Sequence, residues 1–245
     1  MQLQDILYSQ GFGTRRICAG LVQQNQVQIS WAGESEARPC TDAAQELNPI
    51  NLVLRVQGVD WPVHEKAFIM LNKPAGVECS QKPSVWPSVY SLLPAPLRQR
   101  PSKGKVAGVQ AVGRLDQDTT GLLLLSDDGQ FIHRMGSPKK QVAKLYEVTT
   151  KHPVQEPQIR QLLDGVVLDD DPKPVRAAGC MQRGMHHIDL TLTEGKYHQV
   201  KRMIAAVGNR VEALHRSRIG GLVLPPDLAP GQWRWLSSAD LALLS

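Results

Sequence analysis

Residues 113–129 read Gly-Arg-Leu-Asp-Gln-Asp-Thr-Thr-Gly-Leu-Leu-Leu-Leu-Ser-Asp-Asp-Gly. A polar, charged stretch leads directly into the leucine run Leu122–Leu125, which predicts a strand over 121–126. If the polar stretch is extended, Asp116 and Asp118 alternate in direction, so one of the two is expected to point into a site. Taken alone, an aspartate at such a place is most simply a turn cap.

Outward from this stretch, Ala67–Gly76 reads as a buried strand ending in the turn Lys73-Pro74-Ala75-Gly76. Further strands are expected over 144–150, 186–193, 210–215 and 232–236, and helices over 129–135, 155–163 and 198–207. Their irregular alternation points to an α+β domain around a mostly antiparallel mixed sheet. Toward the N-terminus, Leu3, Ile6 and Leu7 share a helical face, Gly11-Phe12-Gly13 breaks the chain, and Thr14 suits the N-cap of a second helix. Val27-Gln28-Ile29 alternates as a short strand, with Asn25 in the turn before it. Turn residues without periodicity around Gln57–Pro62 suggest a linker. The expected organisation is a small domain over 1–58, a linker over 59–66 and a larger domain over 67–245.

The 245 residues carry a net charge of +5, unevenly placed. Residues 1–58 hold four Lys/Arg against five Asp/Glu, and the other 24 basic and 18 acidic groups follow. The cationic excess of the second part suits a polyanion. Between Cys79 and Leu115 lie Lys82, Arg98, Arg100, Lys103, Lys105 and Arg114 with no acid, and Trp86 and Tyr90 are candidates to stack on bases. Cys18, Cys40, Cys79 and Cys180 are scattered, which argues against zinc and for reduced thiols. His186-His187 lack partners at metal spacing, and Asp169-Asp170-Asp171 reads as an exposed turn. No signal peptide or membrane span is expected, and the cytoplasm follows as the expected location.

Arg114-Leu115-Asp116 followed by Asp118-Thr119-Thr120-Gly121-Leu122 closely resembles the signature of pseudouridine synthases of the RsuA-like branch. Four other strings resemble the same family in the same order: Phe68–Gly76, Lys144-Leu145-Tyr146, Glu194–Met203 and Leu214–Leu222. The N-terminal helix–helix–strand order, with Thr14-Arg15-Arg16, resembles an S4-type RNA-binding module. The resemblance implies a uridine isomerase that needs neither cofactor nor metal, because nothing is oxidised and no group enters or leaves. It implies Asp116 as the catalytic carboxylate, Tyr146 stacked on the target uracil, and Arg114 helping to hold the nucleotide out of its helix.

Burial disfavours an ionised carboxylate, so a cation beside Asp116 is expected. Lys201 is the best match to the family pattern and Arg202 the reserve choice. Lys144, Lys73, Arg15, Arg16, Arg216, Lys196 and His198 are further candidates to contact RNA. Asp118–Gly121, Leu214–Arg216 and Ile219–Gly221 resemble the small-subunit branch, which makes one uridine of 16S rRNA, free or in an assembly intermediate, the expected target. The longer segment Arg98–Gln110 departs from that branch. A 23S rRNA uridine and a non-catalytic RNA-binding assembly factor are the alternatives. A monomer is expected.

Overall fold

The structure is a computed structural model that describes residues 1–102, 107–137, 140–169 and 171–244. The chain divides into two compact units, one formed by Met1–Ala67 with Leu93–Gln110 and the other by Phe68–Leu92 with Ala111–Ser245.

The first unit begins with helices α1 (Leu3–Gln10) and α2 (Arg15–Gln23). Leu3, Ile6 and Leu7 are fully buried along one face of α1. Gly11 ends that helix at φ 92°, and the Thr14 side chain caps the next by accepting from the Ile17 N–H. Asn25 takes the left-handed φ of 55° that the turn into the sheet requires. The sheet has the order β2 (Arg38–Pro39), β1 (Val27–Trp31), β3 (Leu52–Val56), β4 (Val59–Pro62), antiparallel throughout.

The expected linker at 59–66 is therefore corrected. Gln57 and Gly58 both have positive φ, the requirement of a two-residue hairpin turn, and β4 folds back on β3. Two exposed positions, Val59 and Asp60, hid the strand's periodicity, while Trp61 is buried.

A second correction concerns Leu93–Gln110. This segment, with helix α3 (Ala95–Gln99), belongs to the first unit, although the sequence assigned it to the larger domain. Arg100 fixes it there. Its guanidinium is fully buried and donates to Gln10 Oε1 at 2.9 Å and to the His64 and Glu65 carbonyls at 2.8 and 3.1 Å. Arg100 is thus a structural cation and no part of an RNA track. Lys103 and Lys105 lie outside the described residues.

The second unit is built on one large sheet of order β11 (Gly179–Gly184), β12 (His187–Leu192), β8 (Lys144–Thr150), β13 (Val211–Ile219), β7 (Thr120–Ser126), β5 (Phe68–Lys73), β15 (Trp233–Trp235). Two short strands lie off this path: β6 (Gln110–Val112) beside β7, and β14 (Leu222–Val223) beside β13. Every pairing on the path is antiparallel except β13 with β7, which run parallel. Strands β9 (Val166–Leu168) and β10 (Asp171–Val175) form a separate pair, and helices α4 (Gly129–Gly136), α5 (Glu156–Asp164), α6 (Gln199–Ala206) and α7 (Ser238–Ala242) complete the unit. The α+β expectation holds. Leu122–Leu125 are all fully buried, as a central strand covered on both faces demands, and Leu122 and Leu124 pack with Met70, Phe131, Ile219 and Leu236. Of the three consecutive aspartates, Asp169 lies in a turn, Asp170 lies outside the described residues, and Asp171 opens β10.

Candidate active site

The loop between β6 and β7 carries Arg114 and Asp116. It turns at 117–118, where the Thr119 N–H donates to the Asp116 carbonyl at 3.1 Å. Although the loop is turned and not extended, only Asp116 of the two aspartates lines the cavity described below, as expected, while both carboxylates reach one ammonium. Lys201 Nζ lies 2.7 and 2.9 Å from the two Asp118 oxygens and 3.2 Å from Asp116 Oδ2. His198 Nε2 lies 3.3 Å from Asp116 Oδ1.

These two partners come from the start of α6. Val200, Met203 and Ile204 bury one side of that helix and leave Lys201 beside them. His198 stands at the N-cap with the left-handed φ of 48°. Gln199 locks the preceding loop: its Oε1 accepts from the Lys196 N–H at 2.7 Å and its Nε2 donates to Glu194 at 2.9 Å. Of the two candidates it is Lys201 that pairs with Asp116, at 3.2 Å, while Arg202 donates to the Tyr197 carbonyl. Burial pushes the Lys201 ammonium down, but Asp118 and Asp116 outweigh it and hold its pKa above the ordinary lysine value. Burial likewise pushes the Asp118 carboxyl up, and the Lys201 hydrogen bonds outweigh that, leaving it below the ordinary range.

Asp116, Arg114 and Lys201 line a cavity of about 540 Å³, with Lys144, Tyr146, Lys196, His198 and Arg216 on its other walls. This volume lies in the range of small-ligand sites. Arg114 is exposed and forms no ion pair among the described residues, so the alternative pairing with Asp118 or Asp128 is not made. Tyr146 on β8 sits opposite Leu190 on one side and Arg216 of β13 on the other. The Arg216 guanidinium lies 5.9 Å from the Tyr146 ring centroid, donates through Nε to the Leu122 carbonyl at 2.9 Å, and approaches the Tyr146 hydroxyl at 3.4 Å through Nη1. Its Nη2 is buried with no hydrogen-bond partner among the described residues. Lys144 donates to the Val142 carbonyl, and burial followed by the Arg216 charge holds its pKa below the usual lysine value.

Lys73 corrects the sequence reading. It is fully buried at the end of β5, and Nζ donates to the Pro74, Gln117 and Thr119 carbonyls at 3.0, 3.2 and 2.8 Å. It braces the Asp116 loop from within and presents no surface cation. Lys73→Met is expected to strand these carbonyls and destabilise the fold by about 2 kcal/mol. A urea melt checks this, and an unchanged midpoint would contradict it.

Tyr90 is likewise unsuited to stacking, because it is buried and its hydroxyl accepts from the Ala111 N–H. Trp86 remains 45% exposed beside Val85 at 81%. The Glu78 carboxylate organises their loop by accepting from the Ser84, Val85 and Trp86 N–H groups, which hold its pKa below the ordinary value. Glu78 and Cys79 line the cavity as well, and no motif or spacing pointed to either. Burial raises the Cys79 pKa, so its thiol stays protonated. In the first unit, Arg15 is paired with Asp5 at 2.6 Å and lies over the Tyr8 ring, while Arg16 is exposed. No described helix is long and apolar enough to cross a membrane.

Residues 67–206 match the family described as RNA pseudouridylate synthase. The chain is 43% identical to the ribosomal small subunit pseudouridine synthase A of Yersinia pestis over 71% of each chain. It is 42% identical to the protein of that name in Escherichia coli, over 73% of this chain and 74% of the relative. An uncharacterized RNA pseudouridine synthase of Bacillus subtilis is 37% identical over 100% of this chain and 98% of its own. A crystal structure of a pseudouridylate synthase is similar with a TM-score of 0.67 at 32% identity, covering all of both chains.

Proposed function

This chain belongs to the RNA pseudouridylate synthase family, and from that premise we propose that it isomerises one uridine of 16S rRNA to pseudouridine. The observation that carries the 16S target is the identity of 43% and 42% to relatives named for the small ribosomal subunit. Asp116 is the catalytic carboxylate: its oxygen bonds ribose C1′ as the uracil N1–C1′ bond breaks, the base turns, C5 bonds C1′ as the carboxylate is released, and the proton lost from C5 is balanced by one gained at N1. Lys201 and His198 flank its two oxygens at 3.2 and 3.3 Å. Tyr146 stacks on the uracil, and Arg114 at the cavity wall steadies an extruded nucleotide. The partnerless Arg216 Nη2 is the donor for a bound base or phosphate, since a buried N–H without a partner calls for one.

The S4-like module formed by the first unit supplies further contacts through Arg16, with Arg15 already partly neutralised by Asp5. Work on ribosomal RNA places the protein in the cytoplasm, and it acts as a monomer. Purified chain incubated with 16S and with 23S transcripts, followed by pseudouridine mapping, tests the target. One modified 16S position is expected; modification of 23S alone would overturn the assignment.

Trp86 provides a stacking platform for a nucleotide beside the target. Its loop springs from Glu78 and Ser80 at the cavity wall. Trp86→Ala is expected to weaken RNA binding by about 1–3 kcal/mol, roughly 5- to 150-fold, with the fold intact. Binding isotherms at fixed salt measure this, and unchanged affinity would remove Trp86 from the interface.

A further inference from the structure

The Lys201 ammonium has three N–H groups and two carboxylates to satisfy. Its contacts are unequal. Those to Asp118, at 2.7 and 2.9 Å, have the length of strong charge-assisted hydrogen bonds, whereas the one to Asp116 is 3.2 Å. The main tie of Lys201 is therefore not to the carboxylate in the catalytic cavity. Asp118 lines a second hollow of about 600 Å³, and it is Asp116 that lines the catalytic one. Asp118 thus reaches Lys201 without facing the space in which a nucleotide would sit.

We propose that Asp118 is a positioning residue: it anchors the Lys201 ammonium from outside the catalytic cavity, so that the cation neighbours Asp116 without closing on it. The inference rests on the reading of Asp116 and Lys201 as catalytic partners. A lone ammonium beside a carboxylate closes to about 2.7–2.9 Å and occupies an oxygen lone pair. Such a clamp would hinder a carboxylate that must leave its cation to bond carbon. Asp118 chelates the ammonium through both its oxygens and fixes Nζ at a distance from which it balances the charge of Asp116 yet lets it move. The turn that makes this possible is closed by the Thr119–Asp116 backbone hydrogen bond and braced by Lys73 on the Gln117 and Thr119 carbonyls. The exposed loop aspartate is in this way part of the same construction as the reactive one.

The test is a double-mutant cycle in the full chain, reading single-turnover rate and RNA affinity separately. Asp118→Asn is expected to slow the chemical step on the order of 10- to 100-fold, since misplacing a catalytic group by about 1 Å has that effect. RNA affinity should stay within about twofold, because Asp118 makes no substrate contact. Asp118→Glu should recover part of the rate. Combining Asp118→Asn with Lys201→Met should be no slower than Lys201→Met alone, because one residue acts through the other. The Asp118 side chain is 53% exposed, so neither substitution threatens folding, and a thermal melt confirms an intact fold.

A wild-type rate for Asp118→Asn, independent and multiplicative losses in the cycle, or a loss of affinity in place of rate would each overturn the proposal. The underlying reading fails differently: Lys201→Met or Asp116→Asn would then turn over near the wild-type rate.

Discussion

Asp116→Asn is expected to lower the single-turnover rate of pseudouridine formation by on the order of 10³-fold or more, while RNA affinity stays within about threefold. The substitution keeps the shape of the side chain and removes the anion. Asp116 sits between Lys201 and His198 in the cavity wall, whereas the other carboxylates lining it are held elsewhere, Glu194 by Gln199 Nε2 and Glu78 by three backbone N–H groups. Asp118, the nearest alternative, is committed to Lys201 through both oxygens and lines a different hollow. Binding survives because it rests on phosphate contacts spread over basic residues. Rapid-quench kinetics beside a binding titration separate the two quantities. Near-normal turnover by the mutant would remove Asp116 from the chemistry.

The second large effect concerns the division of the chain. Removing residues 1–58 is expected to destroy the folding of what remains of the first unit, leaving a protein that aggregates or lacks a cooperative unfolding step. The sequence suggested the opposite, a self-sufficient domain after a linker. The truncation takes β3 away from β4 and Gln10 away from the buried Arg100. It also uncovers Leu97 and Val109, which are fully buried in the intact chain. Burying a leucine or valine is worth about 1.5–3 kcal/mol, and a charge-bearing group left without its acceptors costs more. Gly11 shows how closely these distant segments meet, since a Cβ there would run into the Pro96 carbonyl oxygen. Calorimetry of residues 59–245 beside the full chain checks the prediction. A remnant with the full chain's midpoint and enthalpy per residue would contradict it.

Much of this was legible in the sequence because the decisive signals are local. The leucine run 122–125 wrote the central strand, the Leu3-Ile6-Leu7 stripe wrote the first helix, and the Val200, Met203 and Ile204 stripe set the face from which Lys201 emerges. What was not legible depended on contacts between segments far apart in the chain. Lys73 looked like a free cation at the end of a strand, and only the folded loop reveals the three carbonyls that consume it. Arg100 looked like one of a row of basic residues, and its acceptors lie 36 and 90 positions away. Strand β4 reads as a linker in the sequence because its positive-φ turn falls on Gln57-Gly58, a pair less telling than Asn-Gly, and its strand shows exposed residues first. The partnership of Asp118 with Lys201 depended on a turn that strand alternation does not foresee.

The measurement closest to the central claim is pseudouridine mapping in 16S and 23S rRNA from cells lacking this protein, complemented with either the wild-type chain or Asp116→Asn. The account predicts that one 16S position loses its pseudouridine and that the wild-type chain alone restores it. Restoration by Asp116→Asn, or a missing modification confined to 23S rRNA, would contradict it.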